Sequence, residues 1–484
     1  MEKKDINNEL NYIEKIKKIN EGKNKKYYIL TMGCQLNEND SEKIKGMLES
    51  MQYSKAEDAK DADIVVFNTC CVRENAEDKL FGNLGEVKKY KEEKGTIVAI
   101  GGCMMQEKHI VEKLKKSYPF FDIAFGTHTM YRLPEDIYNV MNNKKRIEDI
   151  IDIDGEIIEG LPIRRDDNIK ASVSIMNGCN NFCTYCIVPY VRGRERSRNP
   201  QDIIDEVKQL ALEGYKEIML LGQNVNSYLV SQKEKGEDVD FQVKIINQDG
   251  TCKKYLVNSF ATLLKAIDEI EGIERIRFIS PHPKDFTDDV IEAIKNGKHI
   301  CKSIHLPVQS GSTSVLKAMN RKYTKEQYLN LAMKIKKEIP EITFTTDIIV
   351  GFPGETDEDF EETLDVVRKV NYEQVYMFIY SRRIGTPADK MENQVSDLDK
   401  HCRFDKLKAL TEQQIEKSNK EYVGTTQKVL VEGKSKTNDK MYTGRTESNK
   451  IVNFEGDDSM IGKIVKMKIV SEHIWYLKGK CDNI

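Results

Sequence analysis

The sequence predicts an α/β protein in three parts. These are an amino-terminal α/β parallel-sheet domain, a central partial (βα)6 barrel and a small carboxyl-terminal β-barrel. Three observations predict this. Short continuous apolar runs alternate with amphipathic segments through most of the chain, the pattern of strands buried on both faces of a parallel sheet. Several of these runs end in glycine or threonine followed at once by cysteine. The stretch 422–484 instead breaks into short strand-like pieces at Glu432-Gly433, Asn438-Asp439, Glu455-Gly456 and Ile461-Gly462, as a small barrel does.

In order, residues 1–25 are rich in Lys, Glu and Asn and read as a solvated helix or polar tail. The first domain, 26–145, has strands at 27–32, 63–68 and 96–100, with a helical segment over 75–93 between the last two. They close on Gly33-Cys34, Thr69-Cys70-Cys71 and Gly101-Gly102-Cys103. A charged linker is expected over 146–168. The central domain, 169–396, has strands near 171–176, 217–221, 275–279, 303–308, 343–350 and 374–380. Helices are expected at 200–212, 260–270, 285–295 and 325–337, and a capping box at Thr356–Asp359 opens another reaching about Lys369. Six βα units are two short of a closed eight, which leaves a lateral opening. Residues 229–258 interrupt the rhythm with charge and an Asn247-Gln248-Asp249-Gly250 turn, and read as a surface insertion. A connecting helix over 397–421 leads into the barrel.

The formal net charge of the 484 residues is only −3, which argues against nonspecific coating of nucleic acid and leaves local basic patches open. No apolar run reaches the roughly 20 residues that span a bilayer. The start Met1-Glu2-Lys3-Lys4 lacks the apolar stretch of a signal peptide, so a cytoplasmic protein without a membrane is expected. In that compartment eleven cysteines are better read as metal ligands than as a disulfide framework. Cys252, Cys301, Cys402 and Cys481 are scattered and read as ordinary thiols.

The clustered cysteines carry the chemistry. Cys179, Cys183 and Cys186 form a CxxxCxxC run directly after a strand. Three thiolates are one short of the four that a 4Fe-4S cluster takes, so one iron can bind something else. A zinc knuckle wants a fourth Cys or His, and no His lies nearby. A redox CxxC does not explain Cys179. Cys34, Cys70 and Cys103 each follow a strand, so they share the carboxyl edge of the sheet, where ligand sites of open α/β sheets lie. A second metal centre is the preferred reading, against three unrelated thiols.

The run Gly178 to Gly193 resembles the core motif of the radical S-adenosylmethionine (SAM) methylthiotransferases. The resemblance covers nearly the whole chain. It implies that Cys179, Cys183 and Cys186 hold a 4Fe-4S cluster whose open iron chelates SAM. It implies a second 4Fe-4S cluster on Cys34, Cys70 and Cys103, with Cys71 beside Cys70 as an ambiguity, and a TRAM barrel that binds RNA. Within the family, Gly33 to Glu42, Asn68 to Glu74 and Gly222 to Tyr228 are similar to the group that modifies dimethylallyladenosine next to the anticodon in tRNA. The reaction implied is methylthiolation of adenine C2, consuming two SAM. That C–H bond is not acidic, and acid–base catalysis cannot break it at neutral pH. A radical from reductively cleaved SAM can, with the cofactor carrying the hard step. The second cluster would supply sulfur and a second SAM the methyl group. An electron donor such as flavodoxin or ferredoxin, a sulfur donor or cluster-assembly protein, and a monomeric chain are further expectations.

The resemblance places Tyr185 against the SAM adenine and Gln223 at the methionyl amino group, although Gln lacks the charge of the usual Glu. Ile349 and Gly351 match the strand and turn that flank the adenine. Ser280, His305, Gln309 and Ser310 end or follow strands and are candidates to line the cavity. Arg192, Arg194, Arg196 and Arg198 alternate, which on an extended segment puts them on one side, suited to phosphates. In the last domain Lys434, Lys436, Lys440, Arg445 and Lys450, interleaved with Tyr442 and Phe454, form the candidate RNA face. Two other functions stay open: methylthiolation of an aspartate in a ribosomal protein, and a noncatalytic RNA-binding protein stapled by zinc.

Overall fold

The computed structural model describes residues 4–71, 76–151, 157–230, 232–234, 237–239, 241–246, 249–436 and 438–481. Val72, Arg73 and Glu74 of the motif after Cys71, and Asn247 and Gln248 of the expected turn, lie outside them. The chain divides into two compact units. The first is Met1–Asp167 with Met176–Asn180 and Cys186–Arg196; the second is Asn168–Ile175 with Asn181–Tyr185 and Ser197–Ile484.

The first unit is built on a six-stranded, all-parallel sheet. Its order is Ser54–Lys55, Lys26–Thr31, Ile64–Thr69, Ile97–Gly102, Ile123–Phe125, Ile147–Asp149. Strand Ile64–Thr69 is buried along its whole length, which is why its sequence is a continuous apolar run. Val65 and Phe67 pack on one face with Leu80, Leu84 and Ile100, whereas Ile64 and Val66 pack on the other with Ile44, Met47 and Ile137. Each such side chain contributes about 1.5–3 kcal/mol by leaving water. Strands Ile123–Phe125 and Ile147–Asp149 were not expected, and the second lies inside the stretch read as linker. Residues 1–25 are not a free tail either. Helix Lys4–Asn20 buries Ile13 and Ile16, three apart and so on one face, in the same apolar group as Met47 and Leu133.

In the second unit all six expected strands form, in two parallel sheets of three. One has the order Arg275–Phe278, Glu217–Leu221, Lys170–Ser174; the other is Ser303–His305, Thr343–Val350, Gln374–Ile379. A single parallel bridge, Ile276 to Ile300, lies at the seam, giving an open partial barrel. The fourth strand stops at His305 rather than 308 because Pro307 has no N–H to donate; pairing resumes at Gln309 with Ile348. Helix starts are capped as the sequence implies, including full capping boxes at Ser259/Thr262, Thr324/Gln327 and Thr356/Asp359. The insertion forms two antiparallel ladders, Gln232–Glu234 with Glu237–Val239 and Phe241–Ile246 with Cys252–Val257.

Helix Asp397–Tyr422 leads into a closed five-stranded barrel. Its strand order is Thr426–Ser435, Asn438–Arg445, Ile451–Phe454, Leu477–Cys481, Ile464–Glu472. The barrel is fastened to the amino ends of the central strands. Arg275 donates to the carbonyls of Arg445 and Lys428, both at 2.8 Å, and Arg277 to that of Glu447 at 2.9 Å. Both guanidiniums are buried against Glu217. The barrel therefore lies at the end of these strands opposite to the carboxyl edge.

Candidate functional site

The amino-terminal cysteines gather where three neighbouring parallel strands end. Cys34 caps helix Gln35–Ser50, Cys70 and Cys71 follow Ile64–Thr69, and Cys103 follows Ile97–Gly102. Cys34 is hydrogen-bonded to Cys70 and Cys103 to Cys71. Gly33 is what allows the first approach: at φ +145°, a Cβ there would sit 2.5 Å from the Cβ of Cys70. The hydrogen bond to Cys70, the Arg192 charge and the N–H groups of Asn37 and Leu36 bring the Cys34 thiol down to about 6, against its burial. Cys103 is likewise lowered, by its bond to Cys71 and by Arg192. Cys71 is pushed up by its bond to Cys103 and by burial. Asn37, fully buried, donates to the Thr69 carbonyl at 2.8 Å and accepts from Cys34 Sγ at 3.3 Å, tying the first two strand ends together.

Of the CxxxCxxC run, Cys179 and Cys186 fall in the first unit and Cys183 in the second. In the first, the N–H of Cys179 donates to the Gly193 carbonyl at 3.1 Å, and that of Asn180 to Glu195 Oε1 at 3.1 Å. Gly178 has φ +81° and a Cβ there would lie 1.9 Å from the Arg194 carbonyl oxygen. Gly178→Ala is therefore expected to cost about 1–3 kcal/mol of backbone strain, with further loss from the clash. Lower iron uptake at Cys179 and a lower melting temperature than wild type check this.

In the second unit the Cys183 segment is gripped from one side by the chain after helix Thr313–Ala318. Phe182 sits in the left-handed region at φ +47°. Asn320 donates to its carbonyl at 2.9 Å, and Thr184 donates to the Ala318 and Met319 carbonyls at 2.9 and 3.0 Å. Arg321 is buried, with Nη1 3.6 Å from Cys183 Sγ, Nε 2.9 Å from Tyr323 Oη and Nη2 2.8 Å from the Pro307 carbonyl. Burial and the Arg321 charge push the neighbouring His282 down to about 2, so it is a neutral acceptor for Lys284 N–H.

Tyr185 and Ile349 pack against one apolar group of Val315, Met319, Phe352 and Tyr380. Gly351, at φ +72°, turns the chain and donates to Glu355 Oε1 at 2.9 Å. Gln223, half-buried, follows strand Glu217–Leu221. Ser280 and Gln309 both hold left-handed φ angles, +63° and +69°, unusual for such residues and a mark of sites where the fold maintains strain. His305 Nδ1 lies 2.9 Å from Thr345 Oγ1 and Nε2 3.3 Å from Asp347. Ser310 is fully buried beside Thr363 and does not line an open cavity.

Two of the four alternating arginines are not surface groups. Arg192 is buried on Asp40 and Cys103, and Arg198 is buried on the Ser174 carbonyl and Glu206. Gly193, at φ +75°, breaks the extended course that alternation assumes. Arg194 is exposed, and Arg196 is half-buried and donates to the Arg192 carbonyl. In the barrel Lys434 and Lys436 are exposed, while Arg445 is held by Glu432 at 3.2 Å and by the Asn449 carbonyl at 3.1 Å. Lys440 is exposed, but Lys450 is engaged by Glu373 and Asn419. Tyr442 and Phe454 belong to the barrel core. The exposed aromatic is Trp475, between the last two strands in sequence and beside exposed Ile474.

Three family patterns match the chain. The uncharacterised protein family UPF0004 matches residues 26–126, the Radical SAM superfamily 173–367 and the TRAM domain 420–481. A tRNA-2-methylthio-N(6)-dimethylallyladenosine synthase of Acetivibrio thermocellus is 51% identical over 472 residues, 97% of this chain and 93% of the relative. One from Clostridium botulinum (strain Eklund 17B) is 52% identical, covering 94% of this chain and 95% of the relative. The chain belongs to the radical SAM methylthiotransferases. Its fold also resembles the solved radical SAM methyltransferase TsrM of Kitasatospora setae, at TM-score 0.51 and 13% identity over 75% of this chain and 77% of that one.

As a radical SAM methylthiotransferase the chain uses SAM and a 4Fe-4S cluster. The donor chemistry fits, since soft thiolates suit iron–sulfur clusters and both cysteine sets have a buried arginine directed at a sulfur. Among the described residues no three Cys, His, Asp or Glu side chains close around a single ion. No helix among the described residues is long and apolar enough to cross a membrane. Sequence reasoning passed over Asn37, Asn320 and Arg321. Their signal was proximity: Asn37 lies three residues after Cys34, and Asn320 and Arg321 follow the helix that grips the Cys183 segment.

Proposed function

We propose that this methylthiotransferase replaces the C2 hydrogen of N6-(dimethylallyl)adenosine next to the anticodon of tRNA by a methylthio group, consuming two SAM. The observation that carries it is identity of 51% over almost the whole chain to synthases named for that product. When bound, the clusters supply one-electron cleavage of SAM and a source of sulfur. The protein's own work is to hold and orient. Cys179, Cys183 and Cys186 hold one cluster, and Cys34, Cys70 and Cys103 the second. Tyr185, Ile349 and Gly351 flank the SAM adenine, and Gln223, Ser280 and Gln309 bind its polar atoms. On this reading 26–145 is the sulfur-delivering domain, 169–396 the radical SAM core and 422–484 the RNA-binding barrel, in a monomeric cytoplasmic chain. It takes electrons from a flavodoxin- or ferredoxin-like donor and sulfur from a donor or cluster-assembly protein.

Arg194, Arg196, Lys434 and Lys436 face tRNA phosphates, and the exposed Trp475 offers a stacking surface for an unpaired base. Stacking is worth about 1–3 kcal/mol per base, so Trp475→Ala is expected to weaken tRNA binding by about 5–150-fold with SAM cleavage unchanged. Filter binding against a titration of salt checks it. The proposal itself is tested by incubating the anaerobically reconstituted enzyme with dithionite, SAM and either dimethylallyladenosine-containing tRNA or ribosomal protein. Product on tRNA alone is expected; product on a protein aspartate alone, or a preparation holding zinc without iron, overturns it.

A further inference from the structure

We infer that Arg192, anchored by Asp40, is a positioning residue of the amino-terminal cysteine set: it fixes the Cys103 sulfur and sets the charge beside the cluster those cysteines hold. The inference rests on the proposed reading that Cys34, Cys70 and Cys103 carry a cluster of their own.

Three contacts carry it. Arg192 Nε lies 3.2 Å from Cys103 Sγ. Nη2 lies 2.7 Å from Asp40 Oδ2. Nη2 also lies 3.5 Å from Asn37 Oδ1, the atom that accepts from Cys34 Sγ at 3.3 Å. One guanidinium thus reaches Cys103 directly and Cys34 through a single amide. Arg192 is only 5% exposed. A charge that deep is retained only when paired, and here it is divided between one carboxylate and the thiols. The planar fork suits three acceptors in different directions, which a lysine ammonium on a flexible stem does not hold together. The residue stands six positions after Cys186, in a run of arginines that alternation alone assigned to phosphates.

Donors to a ligating sulfur, and charges near it, tune cluster potential and retention. The two members of the pair act with opposite signs. Without the guanidinium the Asp40 carboxylate is left uncompensated, and electron uptake by the cluster becomes harder. Without the carboxylate charge the guanidinium acts alone on the sulfurs, and electron uptake becomes easier. A purely structural pair loses stability in both variants and shifts the potential in opposite directions in neither.

The test uses the full-length chain with Cys179, Cys183 and Cys186 replaced by alanine, so that any cluster signal arises from the amino-terminal set. Arg192→Gln, Arg192→Lys and Asp40→Asn are added separately, and each protein is reconstituted with iron and sulfide. Iron per chain, thermal unfolding and the midpoint potential, followed by electron paramagnetic resonance during titration with dithionite, are measured. Arg192→Gln is expected to shift the potential negative and to weaken iron retention by about 10–100-fold. Arg192→Lys should keep the potential near the parent while still losing iron faster. Asp40→Asn should shift the potential positive. Loaded Arg192→Gln and Asp40→Asn proteins whose potentials match the parent overturn the inference alone. If Arg192→Gln does not fold, Asp40→Asn decides on the same criterion. A parent that takes up no iron overturns the second-cluster reading and the inference with it.

Discussion

Replacing Cys179, Cys183 and Cys186 by alanine is expected to abolish SAM cleavage, with deoxyadenosine release falling to the uncatalysed level. This is the largest effect available in the molecule, about six orders of magnitude or more, because on the proposed reading these cysteines hold the cluster whose open iron binds SAM. Positioning residues cannot compensate for a missing cofactor. Arg321, buried 3.6 Å from Cys183 Sγ, would be left with its charge but without a thiolate to face. A triple variant that still folds, binds tRNA and cleaves no SAM fits the account. One that cleaves SAM at the wild-type rate places the radical chemistry elsewhere.

Replacing Cys34, Cys70 and Cys103 is expected to separate two activities that the wild type couples. SAM cleavage should persist, because the CxxxCxxC set is left intact. Formation of methylthio product should cease, because the centre proposed to carry sulfur is lost. Cys70 and Cys71 give a sharper version of the same experiment. Cys34 bonds to Cys70 while Cys103 bonds to Cys71, so four thiols meet at these strand ends where the family pattern uses three. Cys70→Ala is expected to lose the iron of this centre and Cys71→Ala to keep it. The reverse outcome reassigns the ligand to Cys71. Iron analysis in the background lacking the CxxxCxxC cysteines reads this directly.

Strands Lys26–Thr31, Ile64–Thr69 and Ile97–Gly102 and the six strands of the partial barrel were legible as short apolar runs, uninterrupted where both faces are buried, as in Ile64–Thr69. Edges were not. Ile123–Phe125 is three residues long, and Ile147–Asp149 is only partly buried, so neither run stands out from its surroundings. Helix Lys4–Asn20 reads as a solvated helix or tail because Ile13 and Ile16, which it buries, are nearly lost among Lys, Glu and Asn. The cysteines of the candidate site were legible from spacing and strand ends. Arg192 and Arg198 depart from the surface run for a local reason: alternation places side chains on one side only while the chain stays extended, and Gly193 ends that at once. Tyr442 and Phe454 were misread, since in a small closed barrel the aromatic side chains fill the interior and the exposed ring, Trp475, lies at a turn. Arg275 and Arg277, two apart on one strand, fasten the barrel to the amino ends of the central strands.

The most direct test of the central claim is nucleoside mass spectrometry of tRNA from a strain deleted for this gene, with and without the gene restored. The account predicts dimethylallyladenosine lacking its methylthio group in the deletion and the methylthio form on restoration. An unchanged methylthio nucleoside in the deletion strain would contradict it.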